Sequence, residues 1–463
     1  MERFFHLKEN GAEVKTEIIA GITTFMTMAY ILAVNPDILA ATGMDKGAVF
    51  TATALVSLIG TLLMALFANY PFAIAPAMGL NAYFAYTVVL GMGHSWQVAL
   101  AAVFTEGVLF ILMSLTNIRT AIFNSIPLSL KSAVSVGIGL FIAFIGLQNA
   151  NIVVGNSSTL LSLYSLSAYN ETVGGAGAMS DVGITVLLAI AGTIVTFVLV
   201  AKNVKGNILL GIMFTWLAGI VLQLTGVYVP NPEIGFYSLL PDFSGGFMPH
   251  SLAPIFCKLD FSMLTSFETA LNFIVIVFAF LFVDMFDTIG TLIGVATKAD
   301  MLDEKGRLPK IKGALMADAV ATTTGAVLGT STASTFVESA SGVSEGGRTG
   351  LTAVTTAVLF GLALFLSPIF LAIPSFATAP ALIVVGFYMV SNVANIKFDN
   401  AFEAIPAYVC MLAMPLFYSI SEGISMGVIT YALLHIVNPD KEKKMSVVMY
   451  VLAVLFILKY ILM

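Results

Sequence analysis

The chain has 463 residues and a formal net charge of −6; 59% of its residues are hydrophobic, only 10% are charged, and the mean hydropathy is +0.98. A soluble domain carries about 25% charged residues, so the composition excludes a soluble enzyme and indicates a membrane protein. Apolar runs of bilayer-spanning length recur along almost the whole chain, which predicts an all-α polytopic protein in a lipid bilayer and excludes a β-barrel.

The hydrophobic pattern predicts a series of helices along the chain. Before a polar loop at 227–262, the predicted helices are 17–38, 48–68, 80–90, 97–115, 127–148, 182–200 and 206–226. After the loop, they are 266–297, 311–328, 338–346, 351–372, 377–393, 402–418 and 420–437. A last apolar stretch, 445–462, either spans the membrane or lies against the bundle, and the pattern leaves both readings open.

Lysine and arginine residues collect on one side of this arrangement. That side holds Arg3, Lys8, Lys15, Arg119, Lys131, Lys202, Lys205, the run from Lys298 to Lys312, Arg348, Lys397 and Lys441 to Lys444. On the other side, 149–181 has no Lys or Arg, and 227–262 has only Lys258. The positive-inside rule therefore predicts a cytoplasmic N-terminus in the cell membrane. The side of the C-terminus depends on 445–462 and stays open.

Cysteine and histidine residues are few and isolated. Cys257 and Cys410 have no metal-ligand neighbours, and the four histidines are scattered. A buried, inert thiol is the expected state of both cysteines. We therefore expect no disulfide framework, no metal site and no cofactor.

Two segments interrupt the helical pattern in a similar way. In NYPFAIAPAMGLNAYFAYTVV (69–89), two prolines followed by Gly79 predict an extended start and a helix from about Asn81. In LGTSTASTFVESASGVSEGGRTG (328–350), Ser, Thr and β-branched residues predict an extended piece, followed by a half-helix from about Glu338. Non-helical backbone at membrane depth lines cavities, and interruptions paired in two halves of a chain indicate a transporter site.

The spacing of these segments predicts inverted repeats. Glu338 follows Asp284 by 54 residues (338 − 284), and Asn81 follows Thr27 by the same 54 (81 − 27). Thr27 would then correspond to Asp284, and Asn81 to Glu338. The loop charges agree, because the helices that start near 17 and 266 enter the membrane from opposite sides.

Three carboxylates stand out inside apolar surroundings. Asp284 and Asp287 lie three apart and therefore share one helix face, and Glu338 begins a half-helix. Because ionisable groups in a bilayer are costly, and no matching internal cation is evident, a substrate or ion site is favoured over a purely structural role. The positive end of a helix dipole favours ionised Glu338. Desolvation and mutual repulsion favour protonation of Asp284 or Asp287, which are the candidate proton carriers.

The other candidate substrate-binding residues surround these acids. Asn81 offers an amide with one acceptor and two donors. Phe336 points to the same side as Glu338, and with Tyr83 would stack on a flat substrate. Thr27 and Gly79 complete the candidate set. Carboxylates, an amide and aromatic faces suit a planar, uncharged heterocycle rich in N–H groups better than they suit an anion.

Four stretches carry a family resemblance: GITTFMTMAYILAVNPDIL, GLNAYFAYTVV, FLFVDMFDTIGTLIGVA and STFVESASGVSEGGRTGLTAV. They closely resemble the AzgA-like purine permeases of the nucleobase–cation symporter and nucleobase–ascorbate transporter superfamily. The resemblance implies 14 transmembrane segments as two inverted repeats of seven, with short strands before half-helices 3 and 10. It also implies a core domain and a gate domain, the latter forming a homodimer. The core would comprise 1–117 and 264–372, and the gate 118–263 and 373–463.

The resemblance also assigns roles to individual residues. It makes Asp284 and Glu338 the substrate carboxylates, Asn81 the binding amide, Asp287 the acid linked to transport and Phe336 the stacking residue. Thr288 stands where the related uracil transporters have a histidine, so a histidine relay is not expected. The aspartates are therefore the better candidates for carrying a proton.

The resemblance implies a proton-coupled importer of a purine base, such as hypoxanthine, guanine or adenine, working by alternating access. Na⁺ coupling stays open, no nucleic acid partner is expected, and the protein is not expected to be an enzyme. One alternative is an anion carrier or channel on the same fold. The other is an intramembrane aspartyl protease, which is disfavoured because both aspartates lie on one helix and a GxGD sequence is absent.

Overall fold

A computed structural model describes residues 5–115, 127–165, 179–231, 235–244, 246–299, 301, 308–437 and 445–462. Eight helical segments within these ranges are long and apolar enough to cross a membrane. The chain is therefore a multi-pass helical membrane protein, while a count of 14 spans stays a prediction. The expected domain boundary at 117/118 lies outside the described residues, and the domain limits as a whole stay a prediction.

The first half of the chain is helical apart from three short strands. Its helices are α1 (Val14–Met28), α2 (Ile31–Ala40), α3 (Lys46–Phe67), α4 (Met78–Ala82), α5 (Trp96–Leu115), α6 (Leu128–Asn149), α7 (Ile184–Ala201) and α8 (Asn207–Leu224). π-Helical segments at Tyr83–Gly91 and Met179–Gly183 extend α4 and precede α7. The strands are β1 (Ile74–Pro76), β2 (Val153–Asn156) and β3 (Leu160–Leu163).

The second half repeats the pattern of long helices with one interruption. Its helices are α9 (Phe267–Lys298), α10 (Ile311–Leu328), α11 (Ser339–Ser344), α12 (Gly350–Ala363), α13 (Ser367–Leu371), α14 (Ser375–Val390), α15 (Ala401–Leu416), α16 (Ile420–Val437) and α17 (Val447–Leu462). Strand β4 (Ala333–Thr335) precedes α11, and 3₁₀ turns cover Ser262–Thr265, Leu364–Leu366 and Ser391–Asn395.

The two predicted extended segments are strands that pair with each other. β1 and β4 run antiparallel, with Ala75 opposite Ser334 at the centre of the register. Their outer edges are hydrogen-bonded as well: the Thr61 hydroxyl on α3 bonds to both backbone groups of Ile74 (3.0 and 3.1 Å), and the Thr322 hydroxyl on α10 accepts from and donates to Ala333. Because buried backbone groups need partners, these two threonines make a ribbon possible in the interior.

The helix predicted at 17–38 is divided. α1 ends at Met28 and α2 begins at Ile31, so Ala29 and Tyr30 lie at a break. The Ala29 N–H still bonds to Phe25 O, whereas the Leu32 N–H reaches back only three residues, to Ala29 O. A hydrophobic pattern carries no signal for this local tightening.

The final apolar stretch, 445–462, runs antiparallel to α16. Its buried residues Met449, Leu452, Ala453 and Phe456 have helical spacing, and the Phe456 ring lies 5.8 Å from that of Phe278 on α9. Near its end, the Tyr460 hydroxyl hydrogen-bonds Glu422 in the first turn of α16. α17 therefore runs back along the length of α16 and does not lie across the end of the bundle.

The cysteines differ from each other. Cys410 is buried in α15, as expected, but Cys257 is exposed in the loop before α9, where its backbone is left-handed (φ 53°). The expectation of a buried Cys257 was wrong because the long polar loop leaves this residue at the surface.

Candidate functional site

A cavity of about 600 Å³ lies between two groups of helices, and its volume is in the range of small-molecule sites. One wall comes from the break between α1 and α2, from α4, α9 and β4, and from 336–338. The facing wall comes from α6, α14 and the 3₁₀ turn after α14. The first wall belongs to segments predicted as core and the second to segments predicted as gate. The lining extends to exposed Leu128 and Asn395, where the cavity opens.

Glu338 lies on the cavity wall, immediately before α11. The Tyr30 hydroxyl donates a hydrogen bond of 2.7 Å to its Oε1 atom, and the Thr27 hydroxyl lies 3.5 Å from its backbone carbonyl oxygen. Hydrogen bonds to an ionised acceptor are about twice as strong as neutral ones. A carboxylate has about four acceptor positions, so Glu338 can hold Tyr30 and still accept N–H groups from a ligand.

Asp287 is the second carboxylate on the same wall. The Ser334 hydroxyl in β4 donates to its Oδ2 atom at 2.7 Å, and both residues line the cavity. This bond ties the ribbon to the middle of α9. Thr291, one turn further along α9, also lines the cavity.

Asp284 lies behind the wall and does not line the cavity. The Thr288 hydroxyl is 2.8 Å from Asp284 Oδ1 and 2.9 Å from Asp318 Oδ2 on α10, and all three side chains are fully buried. The backbone N–H of Thr335 donates to Asp318 Oδ1 at 3.1 Å. The sequence predicts that Asp284 faces the substrate and that Asp287 serves the proton step, whereas in the structure Asp287 lines the cavity and Asp284 does not. The roles of both remain predictions.

Asn81 is also fully buried and lies off the cavity lining. Its Oδ1 atom accepts a hydrogen bond from Ser331, and its amide nitrogen has no partner among the described residues. Gly79, one half-turn earlier, does line the cavity. A Cβ atom there would lie 2.8 Å from Ile138 Cγ2 on α6, so glycine permits the close approach of α4 to the facing wall.

The aromatic candidates are separated. Phe336 lines the cavity, whereas Tyr83 is buried edge-on against Phe280, with ring centroids 4.7 Å apart, and is not part of the lining. The facing wall supplies Tyr388, whose hydroxyl accepts a hydrogen bond of 3.1 Å from Asn207. A flat ligand would therefore find aromatic surface on both walls.

Sequence reasoning missed several lining or supporting residues. Tyr30, Ser334 and Tyr388 look like ordinary interior residues, and nothing in their spacing distinguishes them. Lys131 was read as a loop charge, yet it stands on α6 and lines the cavity. Asp318 was detectable as an acid inside an apolar helix and Thr288 as a hydroxyl near the aspartates, but the contact between them was not predicted.

Comparison with known proteins identifies the family. The Permease family model, Xan_ur_permease, matches residues 15–426. The chain belongs to this permease family. The resemblance read from the four sequence stretches is thereby confirmed, and the permease is a transporter and not an enzyme.

Two relatives resemble this permease along its whole length. Guanine/hypoxanthine permease PbuO of Bacillus subtilis is 43% identical over 463 residues, which cover 98% of this chain and 99% of PbuO. Adenine permease AdeP of Escherichia coli is 39% identical over 464 residues, covering 100% of this chain and 96% of AdeP.

A solved structure shares the fold of this permease. The transmembrane domain of the cyanobacterium bicarbonate transporter BicA superimposes with a TM-score of 0.62 at 14% sequence identity, covering 89% of this chain and 97% of that domain. The likeness supports the helical membrane fold alone, because the sequences are too distant to carry a substrate across.

Proposed function

We propose that this permease imports purine nucleobases across the cell membrane, coupled to protons. The observation that carries the proposal is the pair of carboxylates, Asp287 and Glu338, on the wall of one cavity that also has aromatic surface. Relatives named for guanine/hypoxanthine and adenine support the same substrate class. Purine bases are flat and carry several N–H donors, which carboxylates accept.

The binding mode follows from the available acceptors. Glu338 accepts an N–H group of the base while Tyr30 occupies its Oε1 atom, and Asp287 lies on the same wall for a second edge. Phe336 and Tyr388 offer ring faces from opposite walls, and base–aromatic stacking contributes about 1–3 kcal/mol per base. Buried Asn81 and Asp284 would then act on the site through Ser331 and Thr288 without touching the base.

Proton coupling is supported by the hydroxyl shared between Asp284 and Asp318. A threonine hydroxyl has a single hydrogen, yet Thr288 lies within hydrogen-bond distance of both carboxyl groups. When one of the two aspartates is protonated, its own proton supplies the second hydrogen bond, and both contacts of the Thr288 hydroxyl are then favourable.

Alternating access is supported by a set of contacts at the level of Asn149, which lies at the opposite end of α6 from Leu128, where the cavity opens. Among the described residues, the hydrogen bonds that join the predicted core to the predicted gate include Thr378 to Asp37 (3.2 Å), Asn149 to Tyr86 (3.3 Å) and Thr87 to the Tyr418 carbonyl (3.4 Å). We call this set the outer seam. With a cytoplasmic N-terminus, the outer seam lies on the extracellular side and the cavity opens inward. Import then requires these bonds to break and re-form.

An anion carrier is the second candidate, favoured by Lys131 on the cavity wall. Two carboxylates on the opposite wall oppose an anion electrostatically, so purine transport is preferred. We keep a homodimer through the gate domain as part of the proposal.

Uptake of radiolabelled hypoxanthine, guanine and adenine in a host without purine transporters tests the function. We expect saturable uptake of at least one base, abolished by a protonophore. In proteoliposomes, an imposed inward proton gradient should drive accumulation without Na⁺. Sulfate or bicarbonate uptake in the absence of purine transport would instead support the anion carrier.

A further inference from the structure

Tyr30 connects the break between α1 and α2 to the substrate carboxylate. It lies between Met28 and Ile31, lines the cavity and is only 1% exposed, so its ring is held in place by the surrounding core. Its hydroxyl donates to Glu338 Oε1 at 2.7 Å. The Thr27 hydroxyl, one turn earlier, approaches the Glu338 backbone. Tyr30 therefore contacts the side chain of Glu338, and Thr27, near the end of α1, contacts its backbone.

A carboxylate on a flexible side chain needs such a contact to keep a fixed orientation. Glu338 precedes a helix of six residues and is only half-buried. Among the described residues, Tyr30 is the side chain that donates a hydrogen bond to the Glu338 carboxylate. Pre-ordering a binding group reduces the cost of ordering it when the ligand arrives.

We propose that Tyr30 is a positioning residue for substrate selection, which holds Glu338 in its binding orientation and occupies one of its two oxygens. This inference rests on the proposed purine transport. With Oε1 engaged, the carboxylate is arranged to accept a single N–H group, as hypoxanthine presents at N1. Guanine presents N1–H beside its 2-amino group and can bridge both oxygens, so it shares Oε1 with Tyr30 through the second lone pair of that oxygen.

Tyr30→Phe tests the proposal because it removes the hydroxyl and keeps the ring. We expect the KM for hypoxanthine uptake to rise about tenfold, the effect of losing one charge-assisted hydrogen bond. Guanine orients the freed carboxylate through its own two donors, so the KM for guanine should rise less than the KM for hypoxanthine. The maximal uptake rate per transporter should stay within about twofold, because the loss concerns ligand binding.

Tyr228→Phe is the matched control. Tyr228 is also 1% exposed, and its hydroxyl donates a hydrogen bond of 2.8 Å to the Tyr237 carbonyl, away from the cavity. Both variants lose one buried hydroxyl. Their melting temperatures in detergent report how much the loss of such a hydroxyl lowers the stability of the protein. Only Tyr30→Phe should change the ratio of the hypoxanthine and guanine KM values.

The outcomes separate the two proposals. If wild-type protein transports no purine, the proposed function and this inference both fail. If it transports purines and Tyr30→Phe alters both KM values equally or not at all, only the positioning role fails. A fall in expression or melting temperature alone, matched by Tyr228→Phe, would likewise assign Tyr30 to stability. Tyr30→Phe combined with Glu338→Gln should bind no more weakly than Glu338→Gln alone, since Tyr30 acts through the carboxylate.

Discussion

Glu17 in α1 caps the start of α12 through Thr352. Its Oε2 atom accepts from the Thr352 hydroxyl at 2.7 Å and from the Thr352 backbone N–H at 3.1 Å. The same carboxylate accepts from Thr349 and from the backbone N–H of Arg348, and it is fully buried. A negative charge at the first turn of a helix is also favoured by the helix dipole. This acid, inside an apolar helix, therefore has a structural role.

Glu17→Ala should destabilise the protein strongly. The change leaves several buried N–H and hydroxyl donors without an acceptor, which we expect to cost about 3–5 kcal/mol. The melting temperature of purified protein in detergent should fall well below that of wild type. Glu13→Ala is the control, because Glu13 is exposed and its side chain forms no capping hydrogen bond. Equal melting temperatures for the two variants would contradict the capping role.

Glu338→Gln should weaken purine binding about tenfold or more, because an amide replaces one charged acceptor by a donor. Competition by unlabelled base against labelled uptake measures the change. Glu106→Gln provides a matched control: Glu106 is fully buried, accepts from Thr332 at 2.7 Å and does not line the cavity. An unchanged apparent affinity in Glu338→Gln would remove Glu338 from the binding site.

The fold was largely predictable from sequence because membrane helices and their breakers are local signals. Pro71 and Pro76 exclude a helix where β1 forms, and Ser/Thr-rich 328–337 contains β4. Pairing of these two strands was not predictable, since it depends on Thr61 and Thr322 satisfying their outer edges. The pairing itself joins residues far apart in the chain, such as Ile74 and Thr335.

The sequence identifies candidate polar residues for the site, but it does not predict how they are arranged around the cavity. Asp284, Asp287, Glu338 and Asn81 were all found as polar groups in apolar segments. Which of them reach the cavity depends on the rotation of α9 and of α4, and residues three apart on a helix differ by about 60°. That difference puts Asp287 on the wall and Asp284 behind it. The position of Tyr30 on the cavity wall depends on a helix break, which the hydrophobic pattern does not predict.

Thr288→Val should uncouple transport from the proton gradient more than it reduces binding. Valine keeps the shape but removes the hydroxyl that lies between Asp284 and Asp318, so a proton on either acid loses its partner. In proteoliposomes, accumulation driven by a pH gradient should fall, while exchange of labelled for unlabelled base persists. Thr291→Val, on the same helix and on the cavity wall, should affect binding and leave the coupling ratio unchanged. Loss of exchange and accumulation in parallel in Thr288→Val would count against a proton-carrying role.

The pH dependence of uptake follows from the same arrangement. If loading requires a protonated aspartate, uptake is full at acidic external pH and declines as the pH rises and the proton is lost. Asp318→Asn, which is neutral at every pH, should flatten this profile. An unaltered profile in Asp318→Asn would place the coupling proton on another carboxyl group, either Asp284 beside Thr288 or one of the two acids on the cavity wall, Asp287 and Glu338.

Thr378→Val should weaken the outer seam and shift the permease away from the inward-open state. Losing the hydrogen bond to Asp37 costs about 1 kcal/mol, which changes a two-state population about fivefold. The reporter is Ser135→Cys on the cavity wall in a Cys257→Ser background, labelled from the cytoplasmic side with an impermeant thiol reagent. Labelling should slow in Thr378→Val. Thr225→Val is the control, because among the described residues the Thr225 hydroxyl bonds to carbonyls of its own helix. Equal labelling rates in both variants would mean that the Thr378 bond does not hold the cavity open to the inside.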